Sequence, residues 1–373
     1  MLFNLFKFLS LKKAEKDHIK KIFDRENFIC NSENIDNMLK GNEKGVRYGN
    51  AVMQRNEKGQ SVERFLKIMI DGKYRTYKLF ERQVRITEEL YKDEGYTFPK
   101  MQVIKHELDT LVPYAIFETR KSGQNFGFMH DTPSYYASIS EKEMEDLVNT
   151  ICSFHSAGSS INPNIWKYTQ KISSDLNYYE KHIRKNLSKV IKHKRENGEI
   201  VESSVEAILA KYFQVKDALK SAEAILDVYW KTVDKTENSD MRYLVHADMQ
   251  IDNIYKHENG PFELLDFEWV GRSTNPVIAI MYDYGNLRAR AWSSSQFQTL
   301  LDEAMVRIGT KYYSDDAVKA GLRLGTLYSS IMMTRFHLDF ENTVKKDRRS
   351  EAEYHEMYSK TVATLRESLK SHL

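Results

Sequence analysis

A short hairpin set among long helical patterns constrains this chain more than any bulk property does. Residues 243–269 read Tyr243-Leu-Val-His-Ala-Asp-Met-Gln-Ile-Asp-Asn-Ile-Tyr255, then Lys-His-Glu-Asn-Gly260, then Pro-Phe-Glu-Leu-Leu-Asp-Phe-Glu-Trp269. Asn259-Gly260 is favoured hairpin-turn chemistry, so Ile254–Tyr255 and Phe262–Leu265 are expected to pair antiparallel across it. Such a pairing sets the start of the first strand beside the end of the second. Asn253 and Asp266 are therefore expected neighbours, with Asp248 on the loop just ahead of them.

Around this island the texture changes near residue 120. Gly41, Gly45, Gly49 and Gly59 punctuate a strand-turn-strand reading from Met38 to Gln60, and Val62–Ile70 and Leu111–Phe117 are compact apolar runs. Between those runs a helix is expected from about Tyr77 to Tyr91, with Phe80, Val84, Thr87 and Tyr91 along one stripe. Ser140 can cap the turn that follows it, and long helical patterns then run over Glu141–His155, Ile165–Lys192 and Val201–Val233. Helices resume from about Ala291 to the end. The expectation is an α+β architecture of two lobes, strand-rich over residues 1–120 and mainly helical over 121–373. A length of 373 residues exceeds one ordinary hydrophobic core and supports the division.

Charge and cysteine content narrow the function. The 56 basic and 53 acidic residues leave a net charge of +3, too balanced to imply a nucleic-acid partner. The basic runs at Lys181–Arg195 and Lys345–Arg349 lack interleaved aromatics and read as solvated helix faces. Cys30 and Cys152 have no metal-ligand spacing and suit a reducing, cytoplasmic setting. The apolar start, Met1 to Lys13, is shorter than a membrane span and lacks the order of a signal peptide. It is expected to pack on its own domain, a membrane-surface helix being the alternative, and no stable membrane insertion is expected.

The hairpin carries the chemistry. An amide oxygen at Asn253 and a carboxylate at Asp266 are hard oxygen donors that suit Mg²⁺ bound to phosphates. That leaves Asp248 to accept a hydroxyl proton and orient the oxygen for in-line attack. His246, two residues earlier, either takes part directly or braces the loop by hydrogen bonds.

The order His246-x-Asp248-x-x-x-x-Asn253, hairpin, Asp266 resembles the hallmark of the aminoglycoside phosphotransferase and choline kinase family. Asp266-Phe-Glu-Trp269 followed by Asp283-Tyr-Gly-Asn286 is similar to the stretch after the metal aspartate in choline-kinase-like members, although the gap between Trp269 and Asp283 is longer than in many of them. The likeness is close over Tyr243–Asn286 and thinner elsewhere. It implies a two-lobed protein-kinase-like fold, Mg²⁺ as cofactor, ATP or GTP as phosphate donor and a small hydroxyl-bearing acceptor. Asp248 and His246 then become the catalytic pair, and Asn253 and Asp266 the metal ligands.

The resemblance extends to the amino-terminal lobe. Lys67, a lone charge in the apolar strand Phe65–Ile70, matches the family's phosphate-clamping lysine. Glu81 is the first candidate for its helix partner and Glu88 the second; a snorkelling edge lysine is the alternative for Lys67. Tyr114–Glu118 resembles the last strand before the hinge, where the backbone around Glu118 and Arg120 would meet the base of the nucleotide. The glycines at 41–49 could cover phosphates, but no P-loop pattern occurs.

A protein kinase or other nucleotidyl or phosphoryl transferase on the same fold, and a catalytically silent nucleotide-binding module, are the competing readings. Gln250 stands where serine/threonine kinases usually place lysine, and the metal aspartate leads Asp-Phe-Glu rather than Asp-Phe-Gly, which favours a small acceptor. Glu268, Trp269, Trp292, Tyr328 and Asp339 are available to line its cleft.

Overall fold

Alternating apolar residues and turn-forming glycines give the first part of the chain to strands, while continuous helical periodicity gives the rest to helices. A computed structural model describes strands and a few helical positions between residues 20 and 125, then residues 139–196, 218–238, 240–257, 262–291, 294–341 and 351–370. The chain divides into two units, Met1–Gly123 and Gln124–Leu373.

In the first unit, β1 (Phe28–Ile29), β2 (Tyr48–Glu57), β3 (Gln60–Met69), β4 (Met101–Lys105) and β5 (Tyr114–Thr119) form one antiparallel sheet. Its order is β1-β2-β3-β5-β4. A short strand, β6 (Gly123–Asn125), follows β5 in the chain. Gly59, with φ of +83°, supplies the left-handed residue in the tight β2–β3 turn. Helical positions are described between Leu79 and Glu89, where Leu79, Gln83 and Ile86 are buried at helical spacing. The stripe expected at Phe80, Val84, Thr87 and Tyr91, the glycines at 41 and 45 and the apolar start lie outside the described residues.

The second unit opens with α1 (Glu141–Ala157). Its start is a capping box: the Ser140 hydroxyl accepts from the Glu143 amide while the Glu143 carboxylate accepts from Ser140. The helix expected from Ile165 is a 3₁₀ turn at Pro163–Lys167, then β7 (Gln170–Lys171), and only then α2 (Leu176–Glu196). This departure is tertiary in origin, because Gln170 and Lys171 pair in parallel with β11 (Gly271–Ser273), a hundred residues away. β11 in turn pairs antiparallel with β8 (Tyr243–Val245). α3 (Ala218–Thr236) is the described part of the helix expected over Val201–Val233.

After β11 the chain enters α4 (Pro276–Arg290), a helix absent from the expectation that helices resume near Ala291. Asn275 caps it, accepting from the Val277 amide at 2.9 Å, and Pro276 occupies the first turn, where its missing N–H costs nothing. Most of α4 is buried. It lies against α6 (Asp315–Glu341), which follows α5 (Ser295–Ala304) and a π-helical turn at Met305–Gly309. The two backbones approach so closely that a Cβ at Gly285 would sit 2.5 Å from the Gly325 carbonyl oxygen. α7 (Glu351–Lys370) packs on α6. Among the described residues no helix is long and apolar enough to cross a membrane.

Candidate active site

Two small sheets aim the chemistry-bearing loop. Val245, at the end of β8, pairs with Gly271 and fixes where the loop begins. The loop ends in a 3₁₀ turn at Ile251–Asn253, which feeds β9 (Ile254–His257) and, across the turn, β10 (Phe262–Leu264). Their register, Ile254 opposite Leu264 and Lys256 opposite Phe262, is the expected hairpin. One further bond, from the Leu265 amide to the Asn253 carbonyl at 2.7 Å, draws Asn253 toward the Asp266 end. Lys256 is ion-paired to Glu143, tying the hairpin to the start of α1.

Within the loop the Asn253 side-chain amide donates to the Asp248 carbonyl at 2.9 Å. Met249, Ile251 and Ile254 are buried and anchor the turn from beneath. Asp248 keeps a quarter of its side chain exposed. Burial pushes its carboxyl above the ordinary range and the nearby Asp266 charge adds to this, while Arg290, His246 and a hydrogen bond from Asn253 oppose it. Asp248, Asn253 and Asp266 thus form one electrostatic cluster.

Backbone strain marks the same place. Among the described residues the only non-glycine positions with positive φ are Ala247, at 62°, and Asp266, at 61°. A left-handed L-residue costs about 1–2 kcal/mol and persists only where its surroundings hold it. At Ala247 the holder is Asp283. This carboxylate, fully buried on α4, accepts from the His246 amide at 2.7 Å, the Ala247 amide at 2.8 Å and His155 Nε2 at 2.9 Å. The Tyr313 hydroxyl lies 2.9 Å from the other nitrogen of His155, extending the buried network to the segment ahead of α6.

His246 is buried as deeply. Its Nε2 donates to the Leu265 carbonyl at 2.7 Å, and its ring lies between Phe154 and Phe267, with centroids 6.1 and 5.4 Å away. That bond joins the loop to the residue before Asp266. The histidine therefore ties the loop to the hairpin and shows no surface to a reacting proton.

Asn253 and Asp266 fit the expected divalent ion by donor chemistry. Among the described residues no group of three or more His, Cys, Asp or Glu side chains forms a metal cage. An ion at this pair would complete its shell from phosphate oxygens and water, as Mg²⁺ commonly does.

The other expected residues stand as follows. Lys67 lies on β3, opposite Asn50 and Ile116, and Glu118 on β5, opposite Phe65 and Met101. Glu81, Glu88, Arg120 and Trp292 lie outside the described residues, as does the side chain of Asp339. Glu268 and Tyr328 are 6% and 8% exposed, so neither offers an open wall to an acceptor. Tyr328 instead packs among Tyr179, Tyr282 and His182. Trp269 is half-buried, and its carbonyl accepts from the Gln170 side chain at 2.8 Å.

Over most of its length the chain matches solved structures of small-molecule kinases. A Plasmodium vivax ethanolamine kinase aligns over 95% of this chain and 93% of its own, at 12% identity and a TM-score of 0.48. A Cryptosporidium parvum choline kinase aligns over 87% and 89%, at 13% identity and 0.48. A spectinomycin phosphotransferase in complex with ADP and spectinomycin aligns over 86% and 90%, at 13% identity and 0.47. No protein-family model matches the sequence, and no curated protein does.

Two site residues were not assigned from sequence. Asp283 stood out only as part of a pattern, and Arg290, whose Nη2 lies 2.9 Å from Asp248 Oδ1, not at all. The signal was present: seven residues apart, they lie two turns from one another on one face of α4. It becomes readable once Asn275-Pro276 is taken as a helix start.

Proposed function

We propose that this chain is a Mg²⁺-dependent phosphotransferase that moves the γ-phosphate of ATP or GTP to a hydroxyl of a small molecule. The observation that carries the reading is the cluster itself: a partly exposed Asp248 on a loop closed by Asn253, facing the charge of Asp266, and held by a buried carboxylate through two backbone amides. Asp248 accepts the hydroxyl proton and orients that oxygen in line with the γ-phosphorus, so that the new O–P bond forms as the bond to the nucleoside diphosphate breaks. Its burial makes it a better proton acceptor than an exposed carboxylate.

Asn253 and Asp266 would hold the ion, which neutralises charge on the transferring phosphoryl group. Lys67 would clamp the donor phosphates, with Glu81 or Glu88 as its partner, and Glu118 and Arg120 would supply backbone to the base. His246 and Asp283 position the loop without touching substrate. Gln250 and the Asp266-Phe-Glu order support a small acceptor over a protein side chain.

The test is transfer from γ-labelled nucleotide to a broad panel of small alcohols beside generic protein substrates, with Asp248→Ala as control. That variant should retain nucleotide binding and lose about a thousandfold or more in turnover. Undiminished transfer by Asp248→Ala removes the proton-acceptor assignment. Phosphorylation confined to protein side chains replaces the small acceptor with a protein one.

A further inference from the structure

Arg290, in the last turn of α4, plays no part in the transfer chemistry described above, yet it meets the central carboxylate of that chemistry. Its Nη2 lies 2.9 Å from Asp248 Oδ1, and the two side chains are 34% and 25% exposed, so neither is sealed from a ligand that reaches Asp248. A guanidinium carries five donors in one plane. Here its Nε is buried without a hydrogen-bond partner, and Asp248 is the only ion-pair partner Arg290 has among the described residues.

Neighbouring cations are arranged differently. Arg288, two residues earlier, places both Nε and Nη2 on Asp302 at 2.9–3.3 Å, a closed fork. Lys256 is committed to Glu143 and Arg307 to Glu145. Arg290 alone among these four touches the carboxylate that must receive the acceptor hydroxyl, and it does so at one point, with most of its fork unused.

We propose that Arg290 makes the enzyme select an acceptor bearing an anionic group, a carboxylate or a phosphate monoester, about one to three carbons from the hydroxyl it phosphorylates. The proposal rests on the phosphotransferase reading and names the substrate class of the same site. An acceptor with its hydroxyl on Asp248 sets its neighbouring substituents beside the guanidinium. An anion there completes the fork with charge-assisted bonds, whereas an ammonium there meets a like charge. Two of the groups that would suit a cation, Glu268 and Tyr328, are buried.

Acceptors matched in everything but charge test this. Ethylene glycol, ethanolamine and glycolate form one set; glycerol, glycerate and glycerol 3-phosphate form another and separate carboxylate from phosphate. Transfer from γ-labelled nucleotide should favour the anionic members by about 10- to 100-fold in kcat/KM, the range expected for hydrogen bonds to a charged group. Arg290→Gln should lose that preference chiefly through the acceptor KM, with nucleotide affinity and melting temperature close to wild type. Arg290→Lys should keep part of it, and Arg290→Glu should turn it toward ethanolamine.

Faster transfer to the neutral or cationic members, or an unchanged KM for the anion in Arg290→Gln, overturns the proposal and leaves the phosphotransferase reading standing. If no panel member is phosphorylated, calorimetry of glycerate and glycerol 3-phosphate on the complex with a non-hydrolysable nucleotide decides. Binding that Arg290→Gln abolishes supports the proposal; equal binding, or none to wild type, overturns it. Failure of wild type to bind any nucleotide removes both readings together.

Discussion

Replacing Asp283 by alanine is the sharpest probe of how the fold holds its loop. The carboxylate accepts three hydrogen bonds, two of them from the consecutive amides of His246 and Ala247, and it is fully buried. Alanine offers no acceptor. Leaving a buried donor unsatisfied costs about 1–3 kcal/mol, so the two amides together cost about 2–6 kcal/mol before His155 is counted. For a unit of this size each kcal/mol lowers the melting temperature by about 2–4 °C, which puts the expected fall on the order of 10 °C. Ala247 would also lose one bond that holds it at φ of 62°, and Asp248 is the next residue. Turnover should therefore fall through kcat while nucleotide affinity changes little, and hydrogen exchange at the two amides should accelerate. Asp283→Asn should be milder, because an amide oxygen can keep the bonds to His246 and His155 while its NH₂ group faces the Ala247 donor. A melting temperature within 2 °C of wild type in the alanine variant, with unchanged exchange and kcat, would refute the reasoning.

Other perturbations have simpler outcomes. Asn253→Ala and Asp266→Ala should both weaken Mg²⁺-nucleotide binding, Asp266→Ala more because a charged ligand is lost; equal calorimetric affinity in wild type and both variants would remove the metal assignment. Gly285→Ala should lower stability by about 1–3 kcal/mol, since the new methyl would press on the Gly325 backbone, and a thermal melt matching wild type would show that α4 and α6 can separate at no cost. Burial pushes the Cys152 thiol up to about 12, with the Tyr313 hydroxyl pulling weakly the other way. At pH 8 its thiolate fraction is then on the order of 10⁻⁴, so peptide mapping should find Cys152 nearly unlabelled in native protein and labelled once denatured. Fast native labelling would contradict its place inside α1.

What could be read from the sequence was what local chemistry specifies. Ser140 and Glu143 are a capping box within four residues, and α1 starts where they place it. Asn259-Gly260 between two apolar runs gave the pairing of β9 with β10, and with it the approach of Asn253 to the Asp266 end. What was missed depends on distant partners. Gln170 and Lys171 become a strand because Gly271 and Arg272 lie beside them, which no window around residue 170 reveals. The left-handed backbone at Ala247 and Asp266 has no local signature either, since neither residue type favours it strongly; Asp283, across the core, holds the first of them.

The loss of α4 to the sequence reading has a physical cause that also explains what it hid. Amphipathic periodicity exposes a helix only if one face meets water, and α4 is buried on nearly every side, so its apolar run from Pro276 to Met281 shows no stripe. The few polar side chains on such a helix must each find a partner, because burial leaves them no water. Asp283 finds the amides of the loop, and Arg290, at the end where the helix reaches the surface, finds Asp248. Asp283 and Arg290, seven apart on this buried helix, therefore point to whatever lies along their face, and here that is the loop carrying the proposed proton acceptor. The same logic separates the two roles. Asp283, saturated with donors, can only position the loop, whereas Arg290, held at one point and partly exposed, retains the capacity to bind a ligand.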